Sequence, residues 1–302
     1  MQTLLIIGCG DIARRTLPYL LGRYRIVALL RDIRQAAFWR ARGALPLIAD
    51  LDRPASLRRV AGMADAILHF APPPESGMRD TRMRRLLAAL NRGGHPPRRF
   101  VYLGASGVYG DCGGARVAET RLVCPLTERA RRRVDAERQL RRFGRAGNVR
   151  VSILRAPGIY AADRLPLERL RRGTPALRER DDVFTSHIHA DDLARLVCAA
   201  LRRGRPNRVY NAADDSCLKM GDYFDLVADR CGLPRPPRVS RQEAEKTLSP
   251  AQLSFIGESR RLDNARIREL GARLRYPRVV DGLDAARIDV IPAQAEILFF
   301  KP

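Results

Sequence analysis

The stretch Thr3 to Arg15, TLLIIGCGDIARR, limits the fold more than any other part of the chain. Thr3 to Ile7 carry no charge and are rich in β-formers, which predicts a strand buried on both faces. Gly8-Cys9-Gly10 follow at once, and Ala13, Leu17 and Leu20 then recur at helical spacing. Strand, tight glycine turn and helix make a phosphate-binding unit of the form GxGxxA. Gly8 closes the turn, Gly10 lets backbone approach a pyrophosphate, and Ala13 lets the helix pack close to the strand. The helix opens at Asp11 and Ile12, where unpaired N–H groups meet the anion.

A second strand is expected at Arg25 to Leu30, ending at Arg31-Asp32, about 20 residues past the glycines, where a dinucleotide fold reads the adenosine ribose. An acidic residue there accepts from the 2′-OH of NAD, whereas arginine suits the 2′-phosphate of NADP. Arg31 comes first, which favours NADP, and Asp32 keeps NAD open. Further strands are expected at 45–49, 65–70, 99–103 and 148–154, with helices at 36–41, from Pro54, after Pro74 along Met83, Leu86, Leu87 and Leu90, and at 125–143. This alternation predicts a Rossmann-type α/β fold, a doubly wound parallel sheet with ligand at the carboxyl ends of its strands.

In this order the motifs resemble the short-chain dehydrogenase/reductases, in particular the extended NAD(P)-dependent epimerases and dehydratases. The carriers are GCGDIA, Asp50-Leu51, SGVYG at 106–110, Arg155-Ala156-Pro157-Gly158-Ile159-Tyr160, HIHADDLA at 187–194 and Val209-Tyr210-Asn211-Ala212. The resemblance implies that Asp50 and Leu51 flank the adenine. It also implies that Ala71 and Pro72 run along the cofactor's ribose and phosphates, and that Pro157, Gly158 and Ile159 line the nicotinamide. Ser106 would be the substrate-binding serine. The chain would divide into an NAD(P)-binding domain, 1–160 with 187–213 returning to it, and a smaller, mostly helical substrate subdomain within 161–302.

The family's YxxxK pair is missing. Anchoring the helix after the fifth strand on Glu137 puts Arg133 at the lysine position and Arg129 at the tyrosine position. A guanidinium, with a pKa above about 12, cannot exchange a proton near neutral pH as a tuned phenol does. Arg129 and Arg133 are therefore read as an anion-binding pair or as surface arginines. Tyr109, three residues past Ser106, is the substitute proton carrier to test, against a structural role. His187 and His189 are read as facing opposite sides of a short strand, so that one reaches the site and no metal pair forms. The expected function is an oxidoreductase or epimerase/dehydratase-like enzyme on a small polar or sugar-like substrate. The alternative is a non-catalytic NADP(H)-binding redox sensor or regulator.

The formal charge of +23 invites a nucleic-acid reading. The 56 basic residues are nearly all arginines spread along the whole chain, which looks like a genomic bias rather than a basic stripe, so no nucleic-acid partner is expected. The six cysteines show neither CxxC nor zinc spacing. No apolar run approaches the roughly 18 residues of a membrane span, and the first strand is too short for a signal peptide. A cytoplasmic protein is expected. The apolar end at 297–300 reads as an edge strand or a homodimer contact.

Overall fold

The computed structural model describes residues 1–286, so the apolar run at 297–300 lies outside the described residues. Thr3–Ile7 form β1 and Asp11–Leu20 form α1. β2 (Arg25–Leu30), α2 (Ala36–Arg40), β3 (Leu45–Ile48) and β4 (Ala66–His69) follow. Next come α3 (Thr81–Asn91), β5 (Arg99–Ala105), α4 (Glu128–Ala146) and β6 (Arg150–Ala156). After an irregular stretch, α5 (Ala190–Arg203) leads back to β7 (Arg208–Asn211).

The seven strands are all parallel, in the order β7-β6-β5-β4-β1-β2-β3. β1 lies between β2 and β4, so the order reverses there and opens a crevice above its carboxyl end. Both faces of the sheet are covered, and β1 shows how. Leu4 and Ile6 join the core under α1, α2 and α5, whereas Leu5 and Ile7 join the core under α3 and α4. Alternation buried on both sides explains why the strands read as unbroken apolar runs.

Two helices differ from expectation. The segment from Pro54 is a 3₁₀ helix, Pro54–Val60, in which Leu57 and Val60 are buried three residues apart, matching the tighter turn. α4 begins at Glu128 rather than Pro125 because the Thr127 hydroxyl caps it, accepting from the Ala130 N–H at 3.2 Å.

The later part of the chain adds short helices at Leu167–Arg171, Met220–Arg230 and Val279–Ala285, which share a small core of Tyr160, Leu170, Tyr223, Phe224, Val227 and Leu283. The short strand Gly158–Tyr160 pairs in parallel with His187–His189 and carries this part up against the carboxyl ends of the sheet.

Candidate functional site

Above the reversal point lies a cleft of about 640 Å³. Its floor is the glycine turn. Gly8 has φ +85°, and a Cβ there would stand 2.2 Å from the Ala71 nitrogen, so only glycine lets the two loops meet. A Cβ at Gly10 would meet nothing within 4 Å, so that residue leaves open space over the helix end. No side chain caps α1 at Gly10, and its first N–H groups face that space. Such a cradle, with bare N–H donors and room above them, fits the diphosphate of a dinucleotide.

Asp11, Ile12, Arg31, Asp32, Asp50, Leu51, Ala71, Pro72, Pro157 and Ile159 also line this cleft. Asp32 does not hold its carboxylate free. It accepts from the Arg34 N–H at 2.9 Å and from the Arg34 guanidinium, and these bonds hold its pKa below the ordinary carboxylate range. Asp50 accepts from the Asp52 N–H at 2.9 Å, which shapes the loop after β3. Cys9 is buried, its thiol 3.3 Å from the Leu29 carbonyl, and burial pushes it up to about 12, so it packs rather than reacts.

A second cavity of about 440 Å³ adjoins the first, sharing Ala105, Arg133, Ala156, Pro157, Ile159 and Arg164 with it. Ser106, Gly158 and Arg129 line this one. Arg133 stands at the junction, half-buried, and donates to the Tyr102 hydroxyl at 2.9 Å and the Leu103 carbonyl at 3.0 Å. Those bonds hold its charge at the mouth between the cavities. Arg129 is exposed at the outer rim, one turn earlier on α4.

Tyr109 is not brought to either cavity. Its ring is buried, the Arg155 guanidinium lies over it at 4.6 Å, and its hydroxyl donates to Asn211 Oδ1 at 2.7 Å. Burial raises its pKa, and its ring and hydroxyl are both engaged within the fold. Arg155 in turn gives Nε and Nη2 to Glu137 at 2.9 and 2.6 Å, both residues being buried. The motif at 155–160 is thereby tied to α4 by a forked, charge-assisted pair.

The two histidines share a face, as residues two apart on a strand must, and the opposite-faces expectation fails. Both rings meet Tyr160 edge-on, at 6.3 Å for His187 and 5.2 Å for His189. His189 Nδ1 accepts from the Asp191 N–H and caps α5. His187 lines the second cavity, stacked on Tyr223 at 4.1 Å, with Nδ1 unpartnered among the described residues. Burial pushes it down to about 3, so it is a neutral imidazole. No group of residues able to hold a metal ion is present among the described residues.

The sequence reading missed Arg82, Arg164, Glu258, Arg260 and Tyr223. Arg82 closes the end of the first cleft beside Asp50 and Leu51 by bridging Asp52 and the carbonyls of Pro72 and Pro73. Glu258 and Arg260 pair with each other in the second cavity, where Arg260 also donates to the Gly110 carbonyl. In a chain with this many arginines, spacing offered no signal that singled these out.

Comparison with known proteins agrees with this geometry. A conserved protein of unknown function from Silicibacter pomeroyi is 32% identical, covers 96% of this chain and 100% of its own, and superposes with a TM-score of 0.78. UDP-glucose 4-epimerase from Thermotoga maritima, solved with UDP-glucose, is 17% identical with a TM-score of 0.75, over 96% of this chain and 98% of that one. dTDP-glucose 4,6-dehydratase from Streptomyces venezuelae, solved with NAD, is 22% identical with a TM-score of 0.75, over 95% of each chain. A protein of Aeromonas hydrophila named as a transport protein is 28% identical over 123 residues, which span 39% of this chain and only 22% of that protein. No helix among the described residues is long and apolar enough to cross a membrane. The sequence pattern of the NAD dependent epimerase/dehydratase family matches residues 4–213, and the chain belongs to that family.

Proposed function

We propose that the protein is an NADP(H)-preferring oxidoreductase or epimerase/dehydratase-like enzyme acting on a small polar substrate with an anionic group. The observation that carries this reading is the opening of the cofactor cleft, past Arg133, into a cavity rimmed by Arg129, Arg164 and Arg260. A nicotinamide cofactor there supplies hydride chemistry at the junction. Ser106 would hold the reacting oxygen of the substrate, Arg133 would neutralise charge between the two ligands, and His187 would give a neutral hydrogen-bonding edge. A sugar nucleotide suits this cavity chemically, since its phosphates need cations and its hydroxyls need polar partners. Arg31 at the ribose end, with Asp32 occupied by Arg34, supports NADP over NAD.

One observation favours a second reading, a cofactor-binding regulator without turnover. Tyr223, a phenol lining the second cavity, is pushed up by burial, away from the range in which a phenol moves protons at neutral pH.

The test is a paired fluorescence titration with NADPH and NADH, followed by UDP-glucose and dTDP-glucose as candidate substrates. NADPH is expected to bind at least about tenfold more tightly, a difference of about 1.4 kcal/mol, and Arg31→Asp is expected to weaken NADPH while sparing NADH. Equal loss of both overturns the NADP assignment. Binding of cofactor without turnover of any candidate sugar nucleotide favours the regulatory reading.

A further inference from the structure

Arg164 lies in a short 3₁₀ turn, Ala162–Arg164, just past the strand that carries Gly158 and Ile159, and it lines both cavities. Its Nη1 donates to Asp11 Oδ2 at 3.0 Å, at the helix end where the cofactor's diphosphate would lie. Asp11 does not depend on this bond, because Arg15 Nε holds its other oxygen at 2.8 Å. Arg15 also grips Asp163 with two bonds of 2.6 and 2.7 Å, and Asp191 with one of 2.7 Å. The turn bearing Arg164 is therefore pinned to α1 by its neighbour Asp163, whose partner Arg15 also holds Asp191 of α5, while the Arg164 side chain, about one third exposed, keeps one exchangeable ion pair among the described residues.

The charge balance makes that exchange favourable. Among the described residues the ion pairs of Asp11 and Asp163 are with Arg15 and Arg164, and Asp191 pairs with Arg15 and lies 3.9 Å from His189 Nδ1, so three carboxylates share two guanidiniums beside the place a dinucleotide's phosphates would occupy. An anion entering there is repelled by Asp11 unless a guanidinium turns to meet it. We propose that Arg164 is the anion clamp of this site: it leaves Asp11 for the cofactor's diphosphate. This rests on the cofactor reading given above.

The experiment measures dissociation constants of the full chain for NADPH, NADH and adenosine 2′-monophosphate, which lacks the diphosphate. Arg164→Gln is expected to weaken NADPH and NADH equally, about tenfold, and to leave adenosine 2′-monophosphate unchanged. Asp11→Asn is expected to act oppositely, tightening both dinucleotides several-fold, because it frees the clamp and removes a repelling carboxylate. Thermal melting of each variant separates binding loss from unfolding. If the parent protein binds neither dinucleotide, the cofactor reading itself fails. If the parent binds both and Arg164→Gln binds them as well, or loses NADPH alone, the clamp is overturned. If Asp11→Asn weakens dinucleotides as Arg164→Gln does, the pair is a strut that shapes the cleft, and the proposal is equally overturned.

Discussion

The first cleft and the second cavity share a wall, yet they draw on different parts of the chain. The first cleft is organised around contiguous strand-to-loop junctions: the Gly8–Gly10 turn, the start of α1, and the loops after β2, β3 and β4, each following its strand directly. The second cavity draws its lining from distant segments, from Ser106 through Arg129, His187 and Tyr223 to Arg260. A site of contiguous junctions is specified by any sequence that keeps the turn and the helix end. A site of distant segments depends on how α4 and the later helices are held against the sheet, so its specificity can change while the fold stays the same.

The largest effect should come from breaking what holds the half drawn from distant segments. Glu137→Gln leaves the Arg155 guanidinium buried without a countercharge, and removing one partner of such a pair costs about 3–5 kcal/mol. Urea denaturation should show that loss. A change below about 1 kcal/mol would mean that the pair does not anchor α4 to β6. Next in size is the contiguous half. Gly8→Ala forces a side chain into φ +85°, which costs about 1–2 kcal/mol, and drives it into the Ala71 backbone. Binding of NADPH should fall at least about tenfold, or about 1.4 kcal/mol. Gly10→Ala, whose Cβ has open space, should weaken binding while leaving the melting temperature nearly unchanged. Unaltered NADPH affinity in Gly8→Ala would break the distinction between the two halves.

The same distinction explains what could be read from the sequence. The doubly wound sheet was legible because each βα unit is contiguous and periodic, and Thr3 to Arg15 carries strand, turn and helix without interruption. Ser106 was singled out by the resemblance carried by SGVYG, and it directly follows β5, opening the turn Ser106–Tyr109. The later cavity walls were not legible, because Arg164, Glu258 and Arg260 sit in irregular segments whose directions are set only by tertiary packing. Tyr109 shows the same limit from the other side. Three residues from Ser106, it nevertheless turns inward, because the 3₁₀ turn Ser106–Tyr109 aims its hydroxyl at Asn211 on β7. The pairing of Glu137 with Arg155 had no local signal at all, since the residues stand 18 apart on different elements.

The smallest effect concerns acid stability, and it also divides between the halves. His69, at the end of β4 beneath the cleft, is buried with neither ring nitrogen partnered among the described residues, and His187 is buried in the wall of the second cavity. Burial pushes both down to about 3, from an ordinary value of 6.5. Between those values the unfolded chain binds protons that the folded chain refuses, so the stability each contributes is present above pH 6.5 and is lost as pH falls toward 3, by at most about 1.4 kcal/mol per pH unit. Asp214, whose carboxyl is raised by burial, works in the opposite sense and offsets part of the loss. Urea midpoints at pH 7, 6 and 5 should therefore fall less steeply in His69→Phe and in His187→Phe than in the parent. His69→Phe should leave ligand binding unchanged, because that ring lines neither cavity, whereas His187→Phe should weaken sugar-nucleotide binding by removing a polar edge. A pH profile in His69→Phe as steep as the parent's would mean that this imidazole already takes up its proton inside the folded protein.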